Sequence, residues 1–253
     1  YLVILTLFIS ACTETEKEVD PIPNSQVPVV KKLSSQEIIR HIESQLKIDG
    51  TEKYGIDFYE AYLNPDDSLD RIVTVNLLDR AKKEAIASDI VAKRASMGYM
   101  GNYNYFFFID GESGAITSPI VVPSSPITSL VVSFENIISE ANKDVVIDIK
   151  INDSKYRKYY TIAEGAPFQI CETELYTDVT KSTKKAYVVA YEEGTYSLAK
   201  NIVIYEGIVD KVETEGPHDI YNIDPEITPT DKLVRRWYYS PQHMKYYLRK
   251  DEI

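Results

Sequence analysis

Apolar residues first recur at helical spacing in Ile38, Ile39, Ile42 and Leu46, a stripe that predicts a helix from Ser34 or Ser35 to about Lys47. Either serine can cap it, Glu37 and Glu43 fall on its solvent side, and Gly50 is placed to end it. Two strand-like runs follow, 54–63 and 71–78, separated by the polar stretch Asn64-Pro65-Asp66-Asp67-Ser68-Leu69-Asp70. Residues 79–97 are rich in Ala, Lys and Glu and predict a second helix, which Gly98 stops.

From Asn102 onward the period changes to two. Strands are expected at 103–109, 129–134, 144–151, 156–162, 185–191 and 201–205, with turn signals at Asp110-Gly111 and Asn152-Asp153-Ser154. In the run 144–151, Ile147, Ile149 and Ile151 face one way while Asp148 and Lys150 face the other. Alternation also places Pro167 to Cys171 on a strand. Pro119, Pro123 and Pro126 demote 116–127 to an edge strand or loop. A polar, proline-dotted stretch, 213–230, leads to a last hairpin, 232–239 and 245–248, around Ser240-Pro241. The fold class is therefore α+β: two N-terminal helices with a hairpin, then a strand-rich, sandwich-like antiparallel second half. Residues 34–253 form the globular part, as one domain or as two lobes meeting near 115–130. There is no internal repeat.

Composition adds two constraints. The formal net charge of -11 sets the chain against nucleic-acid phosphates and anionic lipid headgroups, and no nucleic-acid partner is expected. Twenty tyrosines against ten glycines fit a β-rich fold, and also fit a tyrosine-lined face for protein or glycan. The two readings stay open.

The first eleven residues, Tyr1 to Ala11, are uncharged and mostly apolar, and Thr13-Glu14-Thr15-Glu16-Lys17-Glu18 follows at once. Such a run is too short to cross a bilayer, which needs about 20 residues, but it has the length of a signal-peptide core. Ile9-Ser10-Ala11-Cys12 resembles the lipobox of bacterial lipoproteins, with Ile9 where leucine is commoner. The resemblance implies cleavage between Ala11 and Cys12 and a diacylglyceryl group on the Cys12 thiol. Residues 1–11 are then a signal peptide whose charged start is expected upstream of Tyr1, and 12–33, with Pro21, Pro23 and Pro28, a flexible tether. Glu14, Glu16 and Glu18 are similar to the surface-export signals of Bacteroidota lipoproteins, which implies an outer-membrane, surface-exposed location. With Cys12 lipidated, Cys171 has no disulfide partner and is expected as a buried, inert thiol.

Three further features carry candidate chemistry. The stretch from Tyr62 to Asp70, followed by Ile72-Val73-Thr74-Val75-Asn76, resembles a degenerate calcium loop of FG-GAP type. Asn64, Asp66 and Asp70 stand at its oxygen-ligand positions, and Ser68 offers a backbone carbonyl. Tyr62 replaces the first ligand, and Pro65 and Asp67 replace the turn glycines. The competing reading is an Asx-type turn that holds no ion. Trp237, Tyr239 and Tyr246 on the last hairpin, beside Arg235, Arg236 and Lys245, form a candidate surface for an outer-membrane protein or glycan partner. The competing reading is a hairpin closing the sheet with cross-strand aromatic pairs.

His41, His218 and His243 have no Cys or His at ligand spacing and read as surface residues. No nucleophile elbow, zinc-protease helix, phosphate loop or dinucleotide fingerprint occurs. Acidic pairs such as Glu192-Glu193 and Glu172/Glu174 are expected on solvated faces. The reading is a membrane-anchored envelope lipoprotein acting as a binding or accessory protein. The alternative is a secreted hydrolase acting on polysaccharide through a carboxylate pair. No cofactor is expected beyond calcium.

Overall fold

The computed structural model describes residues 32–88, 100–210, 212, 214, 216 and 219–249. The expected signal peptide, Cys12 and most of the expected tether lie outside these residues, as does 89–97 of the second expected helix. The first helix, α1, is Ser35–Leu46. The Ser34 hydroxyl accepts the Glu37 N–H at 3.3 Å and the Glu37 carboxylate accepts the Ser34 N–H at 2.9 Å, so two otherwise orphaned donors are satisfied. Ile38, Ile42 and Leu46 are buried. The helix ends at Lys47, close to the expected boundary; Lys47 itself takes the left-handed conformation (φ 51°) expected of Gly50. Lys47 and Ile48 close the last turn through the carbonyls of Glu43 and Ser44.

A first sheet follows, in the order β1 (Gly55–Ala61), β2 (Asp70–Asn76), β3 (Asn104–Ile109) and β4 (Ile120–Val121), with α2 (Leu78–Ile86) between β2 and β3. All its pairings are antiparallel, and β4 is the short edge that the prolines imposed. Both faces of the sheet are covered. Val73, Val75, Phe107 and Ile109 pack against α1, while Ile72, Phe106 and Phe108 pack the other way.

The second half is one sheet of eight antiparallel strands in chain order: β5 (Val131–Glu135), β6 (Asp144–Ile151), β7 (Ser154–Ala163), β8 (Ala166–Thr177), β9 (Lys185–Glu192), β10 (Asn201–Val209), β11 (Ile227–Ser240) and β12 (Lys245–Leu248). The pattern alone suggested two packed sheets. Instead the single sheet bends. The strands β8 and β9 are paired only at Tyr176↔Ala186 and Thr177↔Lys185, and then diverge. Two register shifts in the β7–β8 ladder add to the twist. The β9–β12 half therefore turns back on the β5–β8 half, and Tyr187, Ile202, Ile204 and Tyr246 meet Val146, Tyr159, Ile170 and Cys171 in one core. The loops tie the halves together: Lys200 N–H donates to the Ile137 carbonyl at 2.8 Å.

The other face of β6 and β7 covers the first sheet. Val145, Ile147, Ile149 and Tyr160 join Ile72, Phe106 and Phe108 in a second core, with Phe106 and Tyr160 in edge contact at 5.1 Å. Strand β6 is thus buried on both sides, which is why Val145-Val146-Ile147 is continuously apolar. The last long strand starts at Ile227, inside the stretch read as polar loop. Its ladder with β10 tolerates Pro229 beside a register shift.

Candidate functional site

The loop between β1 and β2 is built from Asx turns. The Asn64 side-chain oxygen accepts the Asp66 N–H at 3.2 Å, the Asp66 carboxylate accepts the Ser68 N–H at 2.8 Å, and Asp67 takes a left-handed φ of 58° where a glycine would be usual. Asp70 begins β2 fully buried; its two oxygens accept the Leu63 N–H at 3.0 Å and the Gly111 N–H at 2.8 Å.

The β2–β3 pairing of Arg71 with Ile109 brings the next residue, Asp110, to the same end of the sheet. Carboxylate oxygens of Asp66, Asp70 and Asp110 consequently lie within 4.8 Å of one another. Asn64 donates its amide to Asp110 at 3.0 Å, so it orients a carboxylate. Gly111 makes the approach possible, since a Cβ there would overlap the Leu69 carbonyl oxygen.

Of the four residues expected at this loop, Asp66 and Asp70 have carboxylates in the cluster, Asn64 supports it, and Ser68 serves the turn. Asp110 was missed. Its only sequence signal was the Asp-Gly turn, and its nearness to Asp70 depends on strand register. Burial raises the Asp70 pKa above the ordinary 3.8, opposed by the two backbone N–H donors and reinforced by the charges of Asp66 and Asp110. Three carboxylates at this separation repel one another, and their oxygens are of the kind a divalent cation takes as ligands. Buried and doubly bonded, Asp70 has no path to act as acid or base on a substrate.

The aromatic candidates are turned inward. Tyr246 is buried and donates its hydroxyl to the Lys200 carbonyl at 2.7 Å, while Trp237 and Tyr239 are half-buried against the core between the two halves of the bent sheet. Tyr239 and Tyr246 meet across the hairpin with tilted rings 5.3 Å apart, and Tyr238, on the opposite face, packs on Tyr196. Cys171 is buried, and desolvation pushes its thiol up to about 12. Glu192 is held by Tyr205 and Arg236, Glu172 by Lys158, and Glu174 lies 3.7 Å from Arg235. His243 is exposed against Tyr247.

Compared with models of protein families, with curated proteins and with solved structures, the chain matches none.

Proposed function

We propose that this chain is a lipid-anchored protein of the bacterial cell envelope, held in the membrane through Cys12, whose folded domain is a binding or accessory module. The observation that carries the reading is the sequence Ile9-Ser10-Ala11-Cys12 at the end of an apolar run, followed immediately by an acidic, proline-dotted spacer. The acidic residues Glu14, Glu16 and Glu18 support an outer-membrane, outward-facing location, where an outer-membrane protein or a glycan is the partner. Two or more acyl chains give stable anchoring at about 0.8 kcal/mol per buried methylene, with no membrane-spanning segment needed. Intact mass of the full-length gene product, extracted from bacterial membranes, tests the reading. The expected mass corresponds to a chain starting at Cys12 plus acyl groups, and Cys12→Ala loses both features. An uncleaved, unmodified wild type refutes it.

A second, compatible proposal is that calcium binds at Asp66, Asp70 and Asp110 and stiffens the domain. The three converging carboxylates support it. Millimolar calcium is expected to raise the thermal midpoint, and Asp110→Ala to remove the rise; an unchanged wild-type midpoint sinks the idea.

A further inference from the structure

An open groove of about 600 Å³ lies on the β9, β10 and β11 strands, away from the carboxylate cluster. Its shape follows from a register mismatch. The partners Tyr205↔Leu233 and Gly207↔Pro229 leave more residues on β11 than on β10, so β11 bulges between them. The bulge is fixed where the Thr230 hydroxyl donates to the Glu206 carbonyl at 2.8 Å. Gly207 lets β11 come close below it, because a Cβ there would overlap Ile227.

The lining is unlike the rest of this acidic chain. Lys184 and Lys185 stand at one side with no acidic partner among the described residues, and Lys232 stands at the other, paired with Glu206 at 3.1 Å. Between the lysines two aliphatic side chains remain open to solvent, Ile208 at 59% and Leu233 at 47% exposure. Positive charge around exposed aliphatic surface, on a molecule of net charge -11, is a specific mismatch with its surroundings.

We propose that this groove docks an extended acidic peptide segment of a partner protein, one that mixes carboxylate and aliphatic side chains. The lysines match the carboxylates as point charges, and Ile208 and Leu233 match the aliphatic groups. A polypeptide suits the lining better than an acidic glycan. Tyr187, the aromatic residue of the groove, is only 9% exposed and has the Arg235 guanidinium over its ring at 5.9 Å, so it offers no open face to a sugar. In addition, β12 pairs only with Trp237–Ser240 of β11, and among the described residues no strand pairs with the outer edge of 227–236. That edge presents main-chain donors and acceptors, which a peptide can use.

The inference rests on the binding-module reading and is independent of the lipid on Cys12. Its test is fluorescence anisotropy of the full chain with a short labelled peptide alternating Glu and Leu. Saturable binding that weakens with added salt is expected, and Lys184→Glu with Lys185→Glu should weaken it by about tenfold or more. The control pair Lys32→Glu with Lys82→Glu carries the same change of net charge on exposed sites elsewhere, and should leave affinity within about twofold. Leu233→Ser, at an exposed position, should also weaken binding and gives the same answer if the charge-reversed pair misfolds. Absence of saturable binding overturns the proposal and leaves Lys232 and Pro229 as guards of a sheet edge. An equal loss in both charge pairs, or equal competition by polygalacturonate, overturns it too. Failure here leaves the mass measurement on Cys12 unaffected, and failure of lipidation leaves the anisotropy readable.

Discussion

Asp70 holds its charge in a place that disfavours it. Its native pKa is raised, mainly by burial and further by Asp66 and Asp110. Between pH 3.8 and that raised value, the native protein keeps a proton that the unfolded chain has released. Stability from this group therefore falls as pH rises through the window. Urea midpoints measured across it should show a shallower fall for Asp110→Asn, which removes one of the repelling charges, than for wild type. An identical slope would mean that Asp110 has no electrostatic hold on Asp70. In the bent-sheet core the Tyr246 hydroxyl donates to the Lys200 carbonyl. Tyr246→Phe leaves that carbonyl without its donor and should cost about 1 kcal/mol. Thermal unfolding of the variant checks it, and an unchanged midpoint would mean the bond adds nothing to stability.

At the scale of elements, short contacts between turns set the larger geometry. Strand pairing brings the β3 end to the carboxylate loop, and Gly111, which lies against Leu69, leaves room for the approach. Gly111→Ala should therefore destabilise by about 1–3 kcal/mol and also abolish any calcium-dependent rise in thermal midpoint. If the glycine matters only for packing, the stability loss appears and the calcium response survives. Helix α1 depends on Ser34 in a similar local way, through the reciprocal bonds with Glu37. Its burial against β2 and β3, however, comes from Ile38, Ile42 and Leu46, and holds it in place once formed. Strand β8 shows the reverse case. Its own pattern reads as an ordinary strand, yet its register shifts and its two-rung junction with β9 bend the whole second sheet.

The described domain is layered: α1, the first sheet, and then the two facing halves of the bent sheet, with a core at each junction. Its charge has a consequence for the membrane. A chain with net charge -11 is repelled by anionic headgroups, so the proposed attachment depends on the lipid alone. In cell fractionation, Cys12→Ala should move the protein from the membrane pellet to the soluble fraction. Retention of the variant in the pellet would point to attachment through the folded domain.

The helix α1, the edge position of β4, the hairpin at Asn152-Asp153 and most strands were legible because each rests on a period or a turn residue within one short stretch of chain. Two of the three carboxylates in the cluster were legible for the same reason: Asp66 and Asp70 lie in one short stretch. Asp110 was not, because it arrives through the pairing of β2 with β3. The bending of the second sheet and the groove beside Lys184 and Lys232 also escaped the sequence, whereas the cross-strand pairing of Tyr239 with Tyr246 is what the competing reading of the last hairpin expected. A strand of alternating residues states that one face is buried, but not which surface buries it. The sequence by itself determined the local elements, the overall charge and the lipobox-like segment. The tertiary structure alone decided which distant side chains meet, since register and sheet bending arise from contacts between strands far apart in the chain.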